Sequence, residues 1–416
     1  MFNIKKTKLK KYISCIIILC LIISLVGCKG KEASTKEKKL SIYVDIKDKH
    51  SLNIIKFLID EYKKEQPKTN ITVNNSMGTD TLKDISKGNA GDIMFISRNK
   101  MIELQGKGLL SDLSSYYDKN KINESYYNVI NSYGRYSDKY YGLGIMPYTL
   151  EMFYNKEALK KINTKEPTNI KDGQDILGKL NKQSIKVPVI LTEDIDINNA
   201  IASLMISNKK NIYNVDSIYN SSKEAYKDKK EFQSIFDNIQ TLYKSGIVNK
   251  NTFEIGNENT IKRFVNGDIP MIVSISYYYK ELNNKDIGLI EDYSSIASFK
   301  GNVPIIVNAL LSVPINGENA EEVNEFIKFV FNEKTQKKLF QKGFITGNMK
   351  INEEAKDLGK SIAKHLKEGN ENSIIFLYNI PEKFYVAISS KIEKILSGQY
   401  TGKEWTSIVD EVFKYK

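Results

Sequence analysis

Three consecutive tyrosines, Tyr277-Tyr278-Tyr279, and two isolated histidines, His50 and His365, are residue types in this chain with chemistry to offer. The histidines have no cysteine near them, because Cys15, Cys20 and Cys28 all lie close to the N-terminus, so a transition-metal site has little to draw on. Asp194-Ile195-Asp196-Ile197-Asn198 opens like a calcium-binding loop. It then puts Asn199 where the sharp turn requires Gly and Met205 where a bidentate Glu belongs. The run from Gly398 to Gly402-Lys403 is one residue short of a phosphate loop and follows a helical pattern. No nucleophile elbow or paired-histidine zinc motif occurs, and no carboxylate pair stands out as a glycosidase dyad. The expectation is a protein that binds without catalysis, metal or cofactor.

The N-terminus says where such a binder would work. Lys5, Lys6, Lys8, Lys10 and Lys11 precede an apolar run from Tyr12 to Val26, too short for a comfortable transmembrane helix and closed by Gly27. Leu25-Val26-Gly27-Cys28 resembles the lipobox of bacterial lipoproteins. That resemblance implies a signal peptide over residues 1–27 and a diacylglycerol-modified Cys28. The protein would then be held on the extracellular face of the cell membrane by its acyl chains. The other reading is an uncleaved anchor helix. Residues 28–38, small and charged, read as a flexible tether.

With every cysteine in the leader or at its end, no disulfide framework is available, and a chain of 416 residues does not need one. Length suggests two domains or lobes. The net charge of +12 includes the five leader lysines, leaving +7, spread among Glu and Asp as on solvated helix faces. A nucleic-acid partner is not expected.

The elements that must position any site alternate. Leu40 to Val44 reads as a strand, Leu52, Ile55, Ile59 and Tyr62 as a helix stopping before Pro67, and Ile71-Thr72-Val73 as a second strand. A short helix near Leu82 precedes Asp92 to Ile96, a nearly continuous apolar strand of the buried parallel kind. This order indicates an α/β lobe with a parallel sheet. Further strands are read at Thr149–Tyr154, Val187–Leu191 and Met271–Val273, and helices at Asn199–Ile206 and Phe232–Tyr243. Asn319 with Glu322 reads as a capping box ahead of Val323, Phe326, Ile327 and Val330.

Six segments in this order resemble the extracellular solute-binding proteins of ABC importers, nearest the maltose-type, sugar-binding family 1. They are KLSIYVD with its helix ending at KKEQP, GDIMFISRNKMIELQGKGLLSDL, YYGLGIMPYTLEMFYNKEAL, FVNGDIPMIVSISYYY, ENAEEVNEFIKFVFNEKTQKKLF and ILSGQYTGKEW. The resemblance covers nearly the whole chain after the leader. It implies a two-lobed periplasmic-binding-protein-like α/β fold with a ligand cleft between lobes. Lobe 1 would comprise residues 39–147 with 311–349, and lobe 2 residues 148–310 with 350–416. It also implies a monomer that hands a small solute, a sugar or oligosaccharide, to ABC permease subunits.

A sugar has an apolar C–H face and a polar rim, so aromatic faces flanked by fixed carboxylates, amides and arginine recognise it. By resemblance the stacking position falls on Tyr277, with Tyr278 beside it. The cleft loop falls on Ser97, Arg98 and Asn99, the crossover on Tyr148 and the loop after the first strand on Asp45 and Asp48. Glu193 and Asp194 fall on the acidic loop of lobe 2, and Asn308 on the second crossing. Sugar binders of this group usually carry several cleft tryptophans, whereas the single Trp405 lies in the last helix and reads as core. Plainer roles are open for each residue: the tyrosines as a loop packed on lobe 2, Arg98 as a structural ion pair, Asp45 as a helix cap, Glu193 and Asp194 as exposed acids. Rival functions are a ferric-iron receptor using Tyr277 and Tyr278, an exported hydrolase and a sensor lipoprotein. Against iron stands the absence of a histidine near any mapped cleft segment.

Overall fold

The computed structural model describes residues 38–75, 81–206, 217–293 and 303–414. Cys28, the leader and most of the tether lie outside the described residues. Strand β1 (Lys38–Asp45) runs parallel to β2 (Thr69–Asn75) on one side and to β3 (Ile93–Ile96) on the other. Lys38 is therefore the first strand residue rather than the end of a tether, and its ammonium meets Glu325 at 3.0 Å. Between β1 and β2 the helix Lys49–Glu65 buries Ile54, Ile55, Leu58, Ile59 and Tyr62. Each aliphatic side chain so enclosed stabilises the fold by about 1.5–3 kcal/mol.

The hairpin β4 (Arg135–Tyr136) and β5 (Lys139–Tyr140) stands apart. The first sheet is completed by β6 (Leu143–Gly144) and by a strand from much later in the chain, β13 (Leu310–Ser312), in the order β2-β1-β3-β13-β6. Strand β13 is antiparallel to both its neighbours, so the sheet is mixed where the sequence alone suggests a parallel one. A second sheet has the order β11-β7-β10-β8-β9, built from β7 (Tyr148–Asn155), β8 (Val187–Ile190), β9 (Phe253–Ile255), β10 (Met271–Ile275) and β11 (Ile287–Leu289). The short β12 (Ile305–Ile306) pairs with the start of β7. The result is the two-lobed α/β architecture, one lobe around each sheet.

Two crossings connect the sheets. Ile145-Met146-Pro147 leads from β6 to β7, and Val307-Asn308-Ala309 leads from β12 to β13. They run side by side, with the Ile145 amide donating to the Ala309 carbonyl at 3.1 Å. Val307 is fully buried and Asn308 nearly so, which places the second crossing in the centre of the molecule.

Two local ties hold the first lobe together. Gly91 enters β3 at φ +68°, where a Cβ would lie 2.8 Å from the Ser41 carbonyl, so only glycine fits. Next to it the Asp92 carboxylate accepts hydrogen bonds from the Ser41 amide and hydroxyl and from the Asn319 amide and side chain. Asn319 thus forms no capping box with Glu322, because its side chain is spent on Asp92. In the second lobe Trp405 is core, stacked 5.8 Å from Phe384 with its indole N–H on the Tyr226 carbonyl at 2.9 Å.

Candidate functional site

The site is built where the strand ends of both sheets face each other. After β1 the chain turns through Asp48, which caps the helix Lys49–Glu65 by accepting from the His50 and Ser51 amides at 3.2 and 2.8 Å. Capping fixes the first turn of that helix, and with it Lys49 and His50. On the other lobe β10 runs into a single 3-10 turn, Ser276–Tyr278, tied to β7 by the Ser276 hydroxyl accepting from the Thr149 amide at 2.9 Å.

These two turns meet across the cleft. The His50 ring lies 4.0 Å from the Tyr277 ring and 5.3 Å from that of Tyr278, with its Nε2 3.3 Å from the Tyr278 hydroxyl. Beside them the Glu193 carboxylate accepts from the Lys49 amide at 3.1 Å and approaches its ammonium at 3.7 Å. Burial holds the His50 imidazole below its ordinary range, against the pull of Asp48 and Glu193. Burial likewise raises both tyrosine hydroxyls, which keeps them protonated.

Deeper in, at the crossings, lies a polar cluster. Tyr148 begins β7 and is almost fully buried, edge-on to Tyr277 at 5.8 Å. The Tyr378 hydroxyl touches both Asp194 and Asn308. One hydroxyl carries one proton. The consistent assignment has Tyr378 donating to Asp194 and the Asn308 amide turned to donate to Tyr378. Burial dominates the titration of this cluster, raising Asp194 and pushing Tyr148 and Tyr378 well above the ordinary tyrosine range. Among the described residues, the buried Tyr148 and Thr192 hydroxyls and Asp194 Oδ1 lack a hydrogen bond of good geometry, although Tyr148 lies beside Ser51 and Thr192 beside Asp194, and the turned Asn308 amide leaves its carbonyl oxygen unmet. Leaving such groups unmet costs about 1–3 kcal/mol each, so a solute that bonds them gains that energy back.

The residues suggested by sequence divide into three groups. Asp48, Glu193, Tyr277 and Tyr278 meet at the outer cleft with Tyr148 edge-on to Tyr277, and Asp194 and Asn308 meet at the crossings through Tyr378. Asp45 and Ser97 serve local structure: Asp45 accepts from the Thr81 hydroxyl, and Ser97 caps the helix Arg98–Gln105. Asp48, not Asp45, caps the helix after β1.

Arg98 and Asn99 are struts. The Arg98 guanidinium is buried on the carbonyls of Ser132, Tyr133 and Arg135 and on the Asn379 side chain at 3.1 Å. The Asn99 amide donates to the carbonyls of Leu377 and Ile380. Together they clamp both sides of Tyr378. Sequence reasoning passed over Tyr378, whose one signal was a polar pair, Tyr378-Asn379, inside the apolar run Ile374–Ile380. His50, expected away from the cleft, instead packs its ring against Tyr277 and Tyr278.

Comparison with known proteins now bears on this arrangement. Residues 58–365, well over half of the chain, match the family model of the bacterial extracellular solute-binding protein. The chain belongs to this family. Family and fold are those of binding proteins that work outside the cell. No characterised protein matches by sequence alone, but many solved structures share the fold. The sugar-binding protein MalE of Xanthomonas citri superposes with a TM-score of 0.68 at 12% identity, covering 90% of this chain and 96% of its own. A family 1 extracellular solute-binding protein of Bifidobacterium longum subsp. infantis gives 0.65 at 18%, covering 91% and 100%. An ABC substrate-binding protein of Listeria monocytogenes, solved with cycloalternan, gives 0.63 at 17%, covering 91% and 98%.

Proposed function

We propose that this solute-binding protein captures a sugar or oligosaccharide between its lobes and delivers it to an ABC permease, binding without catalysis. The observation that carries this reading is the buried polar cluster of Asp194, Asn308 and Tyr378 at the crossings, together with the Tyr148 and Thr192 hydroxyls that lack a hydrogen bond of good geometry. Adjacent hydroxyls of a neutral sugar both donate and accept, as that mixed set requires. Relatives solved with acarbose, raffinose and cycloalternan support the same ligand class.

The lobes proposed are residues 39–147 with 311–349 and 148–310 with 350–416, hinged at the two crossings. The site residues proposed are Asp48, Tyr148, Glu193, Asp194, Tyr277, Tyr278 and Asn308, with Tyr378 added. The receptor acts as a monomer, anchored to the outer membrane face through lipid on Cys28 after removal of residues 1–27. Among the described residues no helix is long and apolar enough to cross a membrane.

Iron is the reading that His50 reopens, and geometry argues against it. His50 meets Tyr277 through its ring at 4.0 Å, and burial disfavours the phenolates that ferric iron needs.

A thermal-shift screen over mono- and oligosaccharides, amino acids, polyamines and Fe(III) tests the proposal. A saccharide at about 100 times its dissociation constant should add about 2.7 kcal/mol of stability. Stabilisation by a non-carbohydrate alone would overturn it.

A further inference from the structure

The second sheet ends at β11, whose outer edge pairs with no other strand. Toward β7, the Asp286 carbonyl accepts from the Lys156 amide at 2.8 Å and the Ile290 amide donates to the Met152 carbonyl at 3.1 Å. Residues of an antiparallel ladder face their partner strand alternately, so the backbones of Ile287 and Leu289 point away from β7. The Ile287 amide turns back to the Asn284 carbonyl at 3.0 Å. Among the described residues, the Ile287 carbonyl and both the amide and the carbonyl of Leu289 meet no partner, although each residue is only 4% exposed. Enclosed backbone groups are nearly always bonded, and native sheets cover, shorten or charge an open edge.

Both faces beside this edge are covered. Side chains alternate along β7, which puts Glu151 and Tyr154 on opposite faces. Glu151 meets His365, so the helix Leu358–Glu368 lies over one face. Over the other the Tyr154 ring crosses Gly288, where a Cβ would come within 2.2 Å of it. Between these two layers runs a groove of about 590 Å³, lined by Ile287, Gly288 and Leu289 in succession. A sheet face would offer alternate residues; an edge offers consecutive ones. Lys156 and Lys285 stand where β11 begins and Glu291 stands past its end.

Resting on the receptor reading, we infer that this groove docks an extended segment of the permease, which adds a strand to β11. A polypeptide in extended form presents an N–H and a C=O from the same residue, as the open pair on Leu289 requires, and repeats them along the edge for Ile287. The charges at the two ends fix its character: an acidic side chain toward Lys156 and Lys285, a basic one toward Glu291. The groove and Tyr148 lie at opposite ends of β7, about 20 Å apart at the rise of a strand, so docking leaves the solute site free.

The test is hydrogen exchange, read residue by residue on the full mature chain with and without the ABC permease complex in nanodiscs. Free, the Leu289 amide should exchange fast; in the complex it should slow by about 10-fold or more, the mark of a new backbone bond. The Ile290 amide, already bonded to Met152, should not change. Lys285→Glu, at an exposed position outside the solute site, should keep saccharide affinity and circular dichroism while weakening receptor-stimulated ATP hydrolysis by about 2- to 10-fold, most at low salt. Normal stimulation with unchanged Leu289 exchange, or a Lys285→Glu receptor that stimulates as well as the parent, would overturn the inference and leave capture and delivery standing. Slowing of Leu289 by maltose, maltotriose or raffinose alone would make the groove a solute site and overturn it too. Neither stimulation nor slowing with the permease would remove the delivery reading, and this inference with it.

Discussion

His365 and Glu151 form a buried pair, with Nδ1 of the imidazole 2.9 Å from Oε1 of the carboxylate and neither side chain more than 2% exposed. The other ring nitrogen faces the Glu291 carbonyl at 3.1 Å, and the Tyr293 hydroxyl reaches the second carboxylate oxygen at 3.4 Å. Both imidazole nitrogens meet acceptors, which favours the doubly protonated ring. The pair fastens the helix Leu358–Glu368 to β7, the strand that carries Tyr148 into the cleft.

Burial alone would lower the His365 value. Glu151, the Glu291 carbonyl and Glu368 outweigh it, and the value is raised above the ordinary one. A raised folded value means that the stabilisation is complete below the unfolded value of about 6.5 and is lost as pH climbs through the folded one. Melting temperature should therefore fall as pH rises above about 6.5 and through the raised folded value. His365→Leu, which strands a buried carboxylate, should cost about 3–5 kcal/mol, whereas His365→Leu with Glu151→Leu should recover most of it and flatten the pH profile. Denaturant melts from pH 5 to 9 decide the matter; a double variant as unstable as the single one would refute the pairing.

Tyr378 tests the inner cluster. Tyr378→Phe keeps the ring against Tyr133 and removes only the hydroxyl that serves Asp194 and Asn308. Ligand affinity should fall about 10- to 100-fold, the range for a hydrogen bond to a charged group. Arg98→Lys loses the forked geometry that caps three carbonyls, so it should lower stability and affinity together. Calorimetry beside thermal melts separates the two patterns, and a Tyr378→Phe protein of undiminished affinity would remove Tyr378 from the site.

Some of this was legible in the chain and some was not, for physical reasons. Strands β1 and β3 announce themselves by apolar pattern, since one is half and the other fully enclosed. The antiparallel insertion of β13 beside β3 did not, because strand pairing across more than 200 residues leaves no local periodicity. Segment order alone points to Tyr148, Asp194 and Asn308, and the fold puts all three next to the crossings. Arg98 and Asn99 follow Ser97 in the loop after β3, but their partners are mainly carbonyls at 132–135 and 377–380, and carbonyls carry no side-chain signature. His50 was read as lying away from every cleft segment although it follows Asp48 by two residues, and the fold lays its ring against Tyr277.

Anchoring is tested apart from binding. Cys28→Ser removes the thiol that would be alkylated, so the variant should remain unprocessed or be shed into the medium, while the parent partitions with membranes. Intact-mass measurement finding a cleaved but unmodified cysteine would end the lipoprotein reading.

Sugar and iron part company at one atom of Tyr277. In a sugar receptor the ring supplies contact area and the hydroxyl adds little, so Tyr277→Phe should keep most of the affinity and Tyr277→Ala lose about 1–3 kcal/mol. An iron receptor inverts the order, since the phenolate oxygen would be the ligand and Phe would be as damaging as Ala. Equal losses in both variants, with a visible absorption band on adding Fe(III), would replace the sugar reading with the metal one. Binding unchanged in both would place Tyr277 among the residues that hold the lobes together rather than among those that touch the solute.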